Sequence, residues 1–310
     1  MPRFRFLQLT TALAVLIPGA AQAHGGETHA GWNIEPIALA LLIASVLVYA
    51  IGRARMTPVQ RRMIAPWPRA LCYCGAVAVL IAALFSPIDM YADGSFAWHM
   101  FQHLLLMLGA APLMAMSNTH LVALFALPMA PRRWIGRRVS RTPGVKAGGS
   151  NRMAPIIAAG LFALGLWIWH APHLYEDALA NEQLHTLEHL TFLITAAVFW
   201  RMISTSGDRR LDAGTAILLV TLVGLQGNLL AALITLAPNP LYVSYASQPL
   251  GDQQLAGLLM WVPAGLIYLS STVFAIARLL RHTPRKHRQR HRLAIEFARR
   301  HEAPAGGEGR

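Results

Sequence analysis

Apolar residues in this chain are not confined to one side of each predicted helix; they run on without a polar face. Stretches close to the roughly 20 residues that cross a bilayer as a helix fall at about 34–52, 70–87, 96–116, 154–170, 187–203, 214–237 and 255–277. The pattern predicts an all-α, polytopic membrane helix bundle of about seven transmembrane helices. Ahead of them, Arg3 and Arg5 precede an apolar run from Leu7 to Ala20, and Ala21-Gln22-Ala23 has the small-x-small form of a signal-peptidase site. This reads as a signal peptide over 1–23, with an uncleaved first helix as the alternative. The expected organisation is then a periplasmic leader at 24–33, a seven-helix membrane domain at 34–280 and a basic cytoplasmic tail at 281–310.

Composition sharpens that picture. Hydrophobic residues make up 55% of the chain, charged ones only 13%, and mean hydropathy is +0.42, whereas about a quarter of a soluble domain is charged. The charge is also sorted. Arg53, Arg55, Arg61, Arg62 and Arg69 lie between the first two spans, and Arg132, Arg133, Arg137, Arg138, Arg141, Lys146 and Arg152 between the third and fourth. Arg201, Arg209 and Arg210 follow the fifth, and the tail from Arg278 holds the rest, so that with Arg3 and Arg5 all 27 basic residues are placed. No Lys or Arg is left for the opposite side, which carries Glu35, Asp89, Asp93, Glu176, Glu182, Glu188 and Asp252. Basic loops stay cytoplasmic; the expected setting is therefore the cell inner membrane, with the mature N-terminus periplasmic and the C-terminus cytoplasmic. A net charge of +13 then points to anionic lipid as the partner of the basic segments, and not to nucleic acid.

Histidines collect at the outer ends of the spans: His99, His103, His170, His173, His185 and His189. His99 and His103 are four residues apart, as are His185 and His189, so within each pair the rings lie about 40° apart on one helix face. His103 falls roughly 10 Å below a helix start at Phe96, where a polar side chain faces protein or water rather than lipid. Glu188 stands beside the second pair, placed to accept a hydrogen bond from a ligating imidazole. A lone interfacial histidine is an ordinary anchoring or hydrogen-bonding residue; two helical pairs on one side make three or four nitrogen ligands available to a metal ion.

Met107 and Met114 continue the stripe of His99 and His103, either as packing or as soft ligands. Asp252, at the start of the last span, reads either as a helix N-cap or as a further ligand, and His24 and His29 as part of a polar leader. Imidazole with thioether favours copper, above all copper(I); zinc remains open through the imidazoles alone. Haem is the rival cofactor, although paired histidines one turn apart suit a single iron poorly. The candidate metal set is His99, His103, His185, His189, His170, Met107 and Asp252, with Glu188 supporting it from behind. Cys72 and Cys74 lie near the cytoplasmic end of the second span, away from oxidising surroundings, and read as packing residues. Neither a Walker loop, a dinucleotide fingerprint nor a hydrolase elbow is present, so the chain is not expected to be an enzyme.

Five strings, in order, carry a resemblance: Trp98-His99-Met100-Phe101-Gln102-His103, Trp167-Ile168-Trp169-His170-Ala171-Pro172-His173, His185-Thr186-Leu187-Glu188-His189, Pro240-Leu241-Tyr242 and Asp252-Gln253-Gln254-Leu255-Ala256-Gly257. From about Pro36 to Leu280 the sequence resembles the CtaG-type cytochrome c oxidase assembly factors associated with caa-type oxidases. The resemblance implies a factor that matures a haem–copper oxidase, handling copper at the outer face and passing it to an oxidase subunit. The matching positions are His99, His103, His170, His185, Glu188, His189 and Asp252. Rival readings are a haem-binding electron carrier of cytochrome b type and a copper transporter.

Overall fold

In the computed structural model, residues 35–141, 153–204 and 213–301 are described, and among them there is no strand. The expected signal segment, the leader with His24 and His29, Lys146, Arg209, Arg210 and the chain after 301 lie outside the described residues.

Proline opens one helix after another. It stands in the first turn of α1 (Pro36–Ala54), α2 (Pro58–Ile64), α3 (Trp67–Leu84), α4 (Pro87–Gly94) and α9 (Pro172–Ala180), where its fixed φ suits a helix and its missing N–H costs nothing. Side chains complete other starts. Thr57 and Gln60 form a reciprocal capping box on α2, and Ser86 accepts from the backbone of Ile88 at α4. The chain continues through α5 (Phe96–Met116), α6 (Thr119–Ala126), α7 (Met129–Arg141), α8 (Met153–Trp169), α10 (Glu182–Ser204), α11 (Ala213–Leu236) and α12 (Leu250–His301).

Of these, α1, α3, α5, α11 and α12 are long and apolar enough to cross a membrane, and α8 with α9, bent by 76° at their junction, makes a sixth candidate. Seven were expected. The departure is α10: at 23 residues it has the length, but Glu182, His185, Glu188, His189 and Arg201 dilute its apolarity. The last candidate span ends at Ala277, where the sequence placed it, and its helix continues past the span to His301, 52 residues in all.

The two faces of α11 show why lipid is the right solvent. Leu218, Leu222, Leu225, Leu229, Leu233 and Leu236 are exposed, while Val220, Val223, Ala231 and Ile234 are buried. Both faces are apolar, so the outer one is accommodated by hydrocarbon. The inner face packs on α12, and here Gly257 is needed: a Cβ in its place would sit 2.8 Å from the Ala231 carbonyl oxygen and collide with Thr235. Inside, α12 lies against α5, and α10 against α8 and the inner half of α5. Phe96, Met100, Phe162, Tyr175, Phe192 and Phe199 fill the space between them. Cys72 and Cys74 are free thiols; Cys72 is half-buried, but Cys74 is exposed and is not the packing residue expected.

Candidate metal centre

Two helix starts set the positions of the histidines. At α5, Ser95 accepts from the N–H of Trp98, and Asp252 reaches across from α12 to accept from Ser95 Oγ at 2.6 Å and from the N–H of Phe96 at 2.7 Å. A carboxylate at a helix N-terminus satisfies orphan N–H groups and complements the helix dipole. At α10, Asn181 Oδ1 accepts from the N–H groups of Gln183 and Leu184. Each start therefore fixes a histidine pair within its first few turns.

The pairs converge. His99, His103, His185 and His189 each offer a ring nitrogen, and these four atoms lie within 4.8 Å of one another. Ring centroids are 4.4 Å apart for His99 and His103, 4.2 Å for His185 and His189, and 5.1–5.2 Å across the helices for His103 with His189 and His99 with His185. His99, His103 and His189 are buried, and His185 is half-buried, forming the edge nearest the surface. Tyr175 and Tyr245 flank His99, and Phe192 packs against His103.

A hydroxyl sets which nitrogen of His99 faces inward. Tyr245 donates its only hydroxyl proton to the Ala92 carbonyl oxygen, 3.0 Å away. Burial holds that hydroxyl well above the ordinary tyrosine range, so the proton stays on. Its oxygen, 3.3 Å from His99 Nδ1, can then only accept from that nitrogen. With Nδ1 carrying the hydrogen, His99 Nε2 is left with a bare lone pair, the form in which imidazole ligates metal.

The polar atoms at the centre are unsatisfied. His99 Nε2, both ring nitrogens of His103, His185 Nε2, His189 Nε2 and both carboxylate oxygens of Glu188 are buried without a hydrogen-bond partner among the described residues. Buried polar groups are ordinarily paired, because leaving one bare costs about 1–3 kcal/mol. A cation bound to the imidazoles would satisfy the nitrogens together, and a tetrahedral ion about 2.0–2.1 Å from each requires nitrogens about 3.4 Å apart. Closing the widest pair to that spacing takes only a modest side-chain adjustment.

The other expected site residues are placed differently. Glu188 was expected to hydrogen-bond an imidazole from behind; its Oε1 lies 3.8 Å from His103 Nε2 on the neighbouring helix, close enough for charge but too far for a hydrogen bond. His170 does not join the four: its Nδ1 meets the Leu166 carbonyl oxygen at 2.8 Å and its Nε2 faces Met100 Sδ at 3.4 Å. Asp252 does not reach the histidines, since both its oxygens are engaged at the start of α5. It is neither a ligand in this arrangement nor the cap of its own helix.

Met107 is buried and lines a cavity together with His103, on a stretch of α5 that departs from the ideal helix the stripe assumed. Residues Leu105–Ala110 form a π-helical segment within α5. Pro112 has no N–H to return to the Leu108 carbonyl, and the wider turn brings Ala111 N to Leu106 O instead. The 100° step that extended the stripe past His103 fails there. The Met107 carbonyl accepts from Trp200 Nε1 at 3.0 Å, which ties this segment to α10.

Sequence reasoning missed Tyr245 and Gln102. Gln102 is wholly buried and donates to Ala83 O at 2.9 Å and Asp89 Oδ1 at 2.6 Å, pinning α5 to the end of α3 and to α4. Its position between His99 and His103 on a membrane helix was the available signal, because an uncharged amide at that depth also needs partners.

A family model described as the cytochrome c oxidase caa3 assembly factor (Caa3_CtaG) matches residues 47–282. No curated protein and no solved structure matches the chain.

Proposed function

The chain belongs to the cytochrome c oxidase caa3 assembly factor family, and from that premise we propose that it binds copper through His99, His103, His185 and His189 and hands it to an oxidase subunit. What carries the reading is the convergence of four imidazoles from two helices, with their inward nitrogens unpaired. The sorting of all basic residues to one side supports a site that opens to the periplasm from the inner membrane.

A bound ion would supply an exchangeable, positively charged centre; the protein's own part is to hold it. Tyr245 keeps Nε2 of His99 available, Glu188 offers compensating charge beside His103, and the exposed edge of His185 is where an acceptor would approach. The role is non-catalytic: a carrier must bind without trapping, and ligand exchange at a partly open site meets that need. Copper is favoured over haem by the donor set: four imidazole nitrogens converge within 4.8 Å of one another, which suits one small ion and not the two axial positions of a haem iron.

Elemental analysis of the purified full-length protein beside His185→Ala and His189→Ala tests this. Each variant is expected to lose one equivalent of copper relative to wild type, and a strain lacking the protein to assemble less active oxidase. Unchanged copper in both variants overturns the site.

A further inference from the structure

Beneath the four histidines, toward the middle of the bundle, lies the small cavity lined by Met100, Met107, Met260, His103, His170 and Asn228, among others. Met100 is wholly buried, and Met107, Met260 and His170 nearly so. Nothing in the four-histidine site uses Met100, Met260 or His170, yet the cavity gathers soft and nitrogen donors from α5, the end of α8 and α12.

The contact between His170 and Met100 is chemically unusual. The Leu166 carbonyl, 2.8 Å from His170 Nδ1, can only accept, so Nδ1 carries the hydrogen of the neutral ring. The opposite nitrogen, Nε2, then presents a bare lone pair to the lone pairs of Met100 Sδ, 3.4 Å away. Two acceptors face each other with no proton between them. A doubly protonated ring would relieve this but would place a charge in an apolar pocket beside no carboxylate. The Tyr242 hydroxyl, donating to the His170 carbonyl at 2.9 Å, and the bond to Leu166 hold the ring in place. Asn228 adds a third acceptor, its Oδ1 buried without a partner among the described residues.

The spacing suits a shared cation. Bonds of about 2.0–2.1 Å to nitrogen and about 2.3 Å to sulfur, meeting near 100°, place the two donors about 3.4 Å apart. A backbone carbonyl fixing the tautomer of a ligating histidine is the usual second layer of a metal site. Thioethers select soft ions, copper(I) before zinc.

We propose that Met100 and His170, completed by Met107 or Met260, form a second and softer site for a monovalent d10 cation, copper(I), separate from the four histidines. His103 borders both sites, its ring 6.5 Å from that of His170, so the two lie one ligand apart. The inference takes only the identity of the ion from the reading above and does not depend on the four-histidine site.

The test is an anaerobic copper(I) titration of the full-length, selenomethionine-labelled protein in detergent, followed by X-ray absorption at the selenium edge. Wild type is expected to bind two equivalents and to show copper–selenium scattering. Met100→Leu, a volume-conserving change that a packed core tolerates, is expected to lose one equivalent and most of that scattering, with at least a tenfold weaker second binding step. The His185→Ala/His189→Ala double variant is expected to lose the other equivalent and keep the selenium signal. A double variant that matches wild type would defeat the four-histidine reading and leave this site standing. The second site is overturned if Met100→Leu retains two equivalents, if loaded wild type shows no selenium neighbour to copper, or if the double variant loses the selenium signal together with its copper.

Discussion

Two carboxylates near the histidine end of the bundle are used in opposite ways. Asp252 has both oxygens committed, one to Ser95 Oγ and one to the N–H of Phe96, and so joins α12 to the start of α5. Glu188, almost wholly buried beside the histidines, has neither oxygen hydrogen-bonded among the described residues and only a 3.8 Å approach to His103. A satisfied carboxylate stabilises the fold it belongs to; an unsatisfied one lowers stability unless a positive charge arrives. The neighbourhood of Asp252 is thus a joint, whereas that of Glu188 holds buried polar atoms that a cation would satisfy.

The largest effect should come from emptying the second region. Replacing His99 or His189 by alanine is expected to weaken copper binding by more than about 100-fold, beyond the 10–100-fold that losing a supporting residue costs. Competition with a chelator of known affinity measures it, and a loss under tenfold would break the contrast. Next comes the joint: Asp252→Ala leaves the Phe96 N–H and Ser95 without their partner and should cost about 2–3 kcal/mol. Thermal unfolding of the metal-free protein in detergent reads this, with copper affinity changed far less than by the histidine variants.

Glu188→Gln sharpens the comparison because its sign reverses. Removing an unpaired buried carboxylate should raise the unfolding midpoint of the metal-free protein while weakening copper binding; a lowered midpoint would show that Glu188 is a structural residue like Asp252. Tyr245→Phe should leave the fold intact and weaken copper binding roughly tenfold, since it frees the His99 tautomer.

The smallest effect concerns Glu35, just ahead of α1. Burial raises its pKa above the ordinary 4.5, against the lowering influence of the hydrogen bond from Thr186, and Glu182 and Asp89 push the same way as burial. The folded state therefore holds this proton more tightly than the unfolded one. Its contribution is complete below about pH 4.5 and is lost as pH rises through the folded value. Glu35→Gln should raise the unfolding midpoint slightly at pH 8 and leave it unchanged at pH 4.

Much of the site was legible because it is local. His99 with His103, and His185 with His189, are each one turn apart, and helix geometry alone puts each pair on one face. The apolar runs disclosed the spans for the same reason, except that α10, read as a span over 187–203, is not among the helices apolar enough to cross a membrane. What was not legible depends on distant partners or on backbone detail. The groups that Asp252 caps lie 156 and 157 positions away in sequence, so composition left it open between cap and ligand. The π geometry of Leu105–Ala110, the segment that carries Met107, is not what an ideal helix extended from His103 supplies. His170 belonged with the other histidines by sequence position, yet its ring turned to Met100 on another helix.

The sequence by itself determined a helical membrane protein with its charges sorted and its histidines paired, because bilayer thickness, charge placement and a 3.6-residue period all act along the chain. Only the tertiary structure decided that two pairs meet, that Tyr245 sets the tautomer of one of their rings, that Asp252 is a joint, and that Met100 faces His170. Those are contacts between helices, and they follow from how the side chains pack when the helices close on one another, which no local spacing encodes.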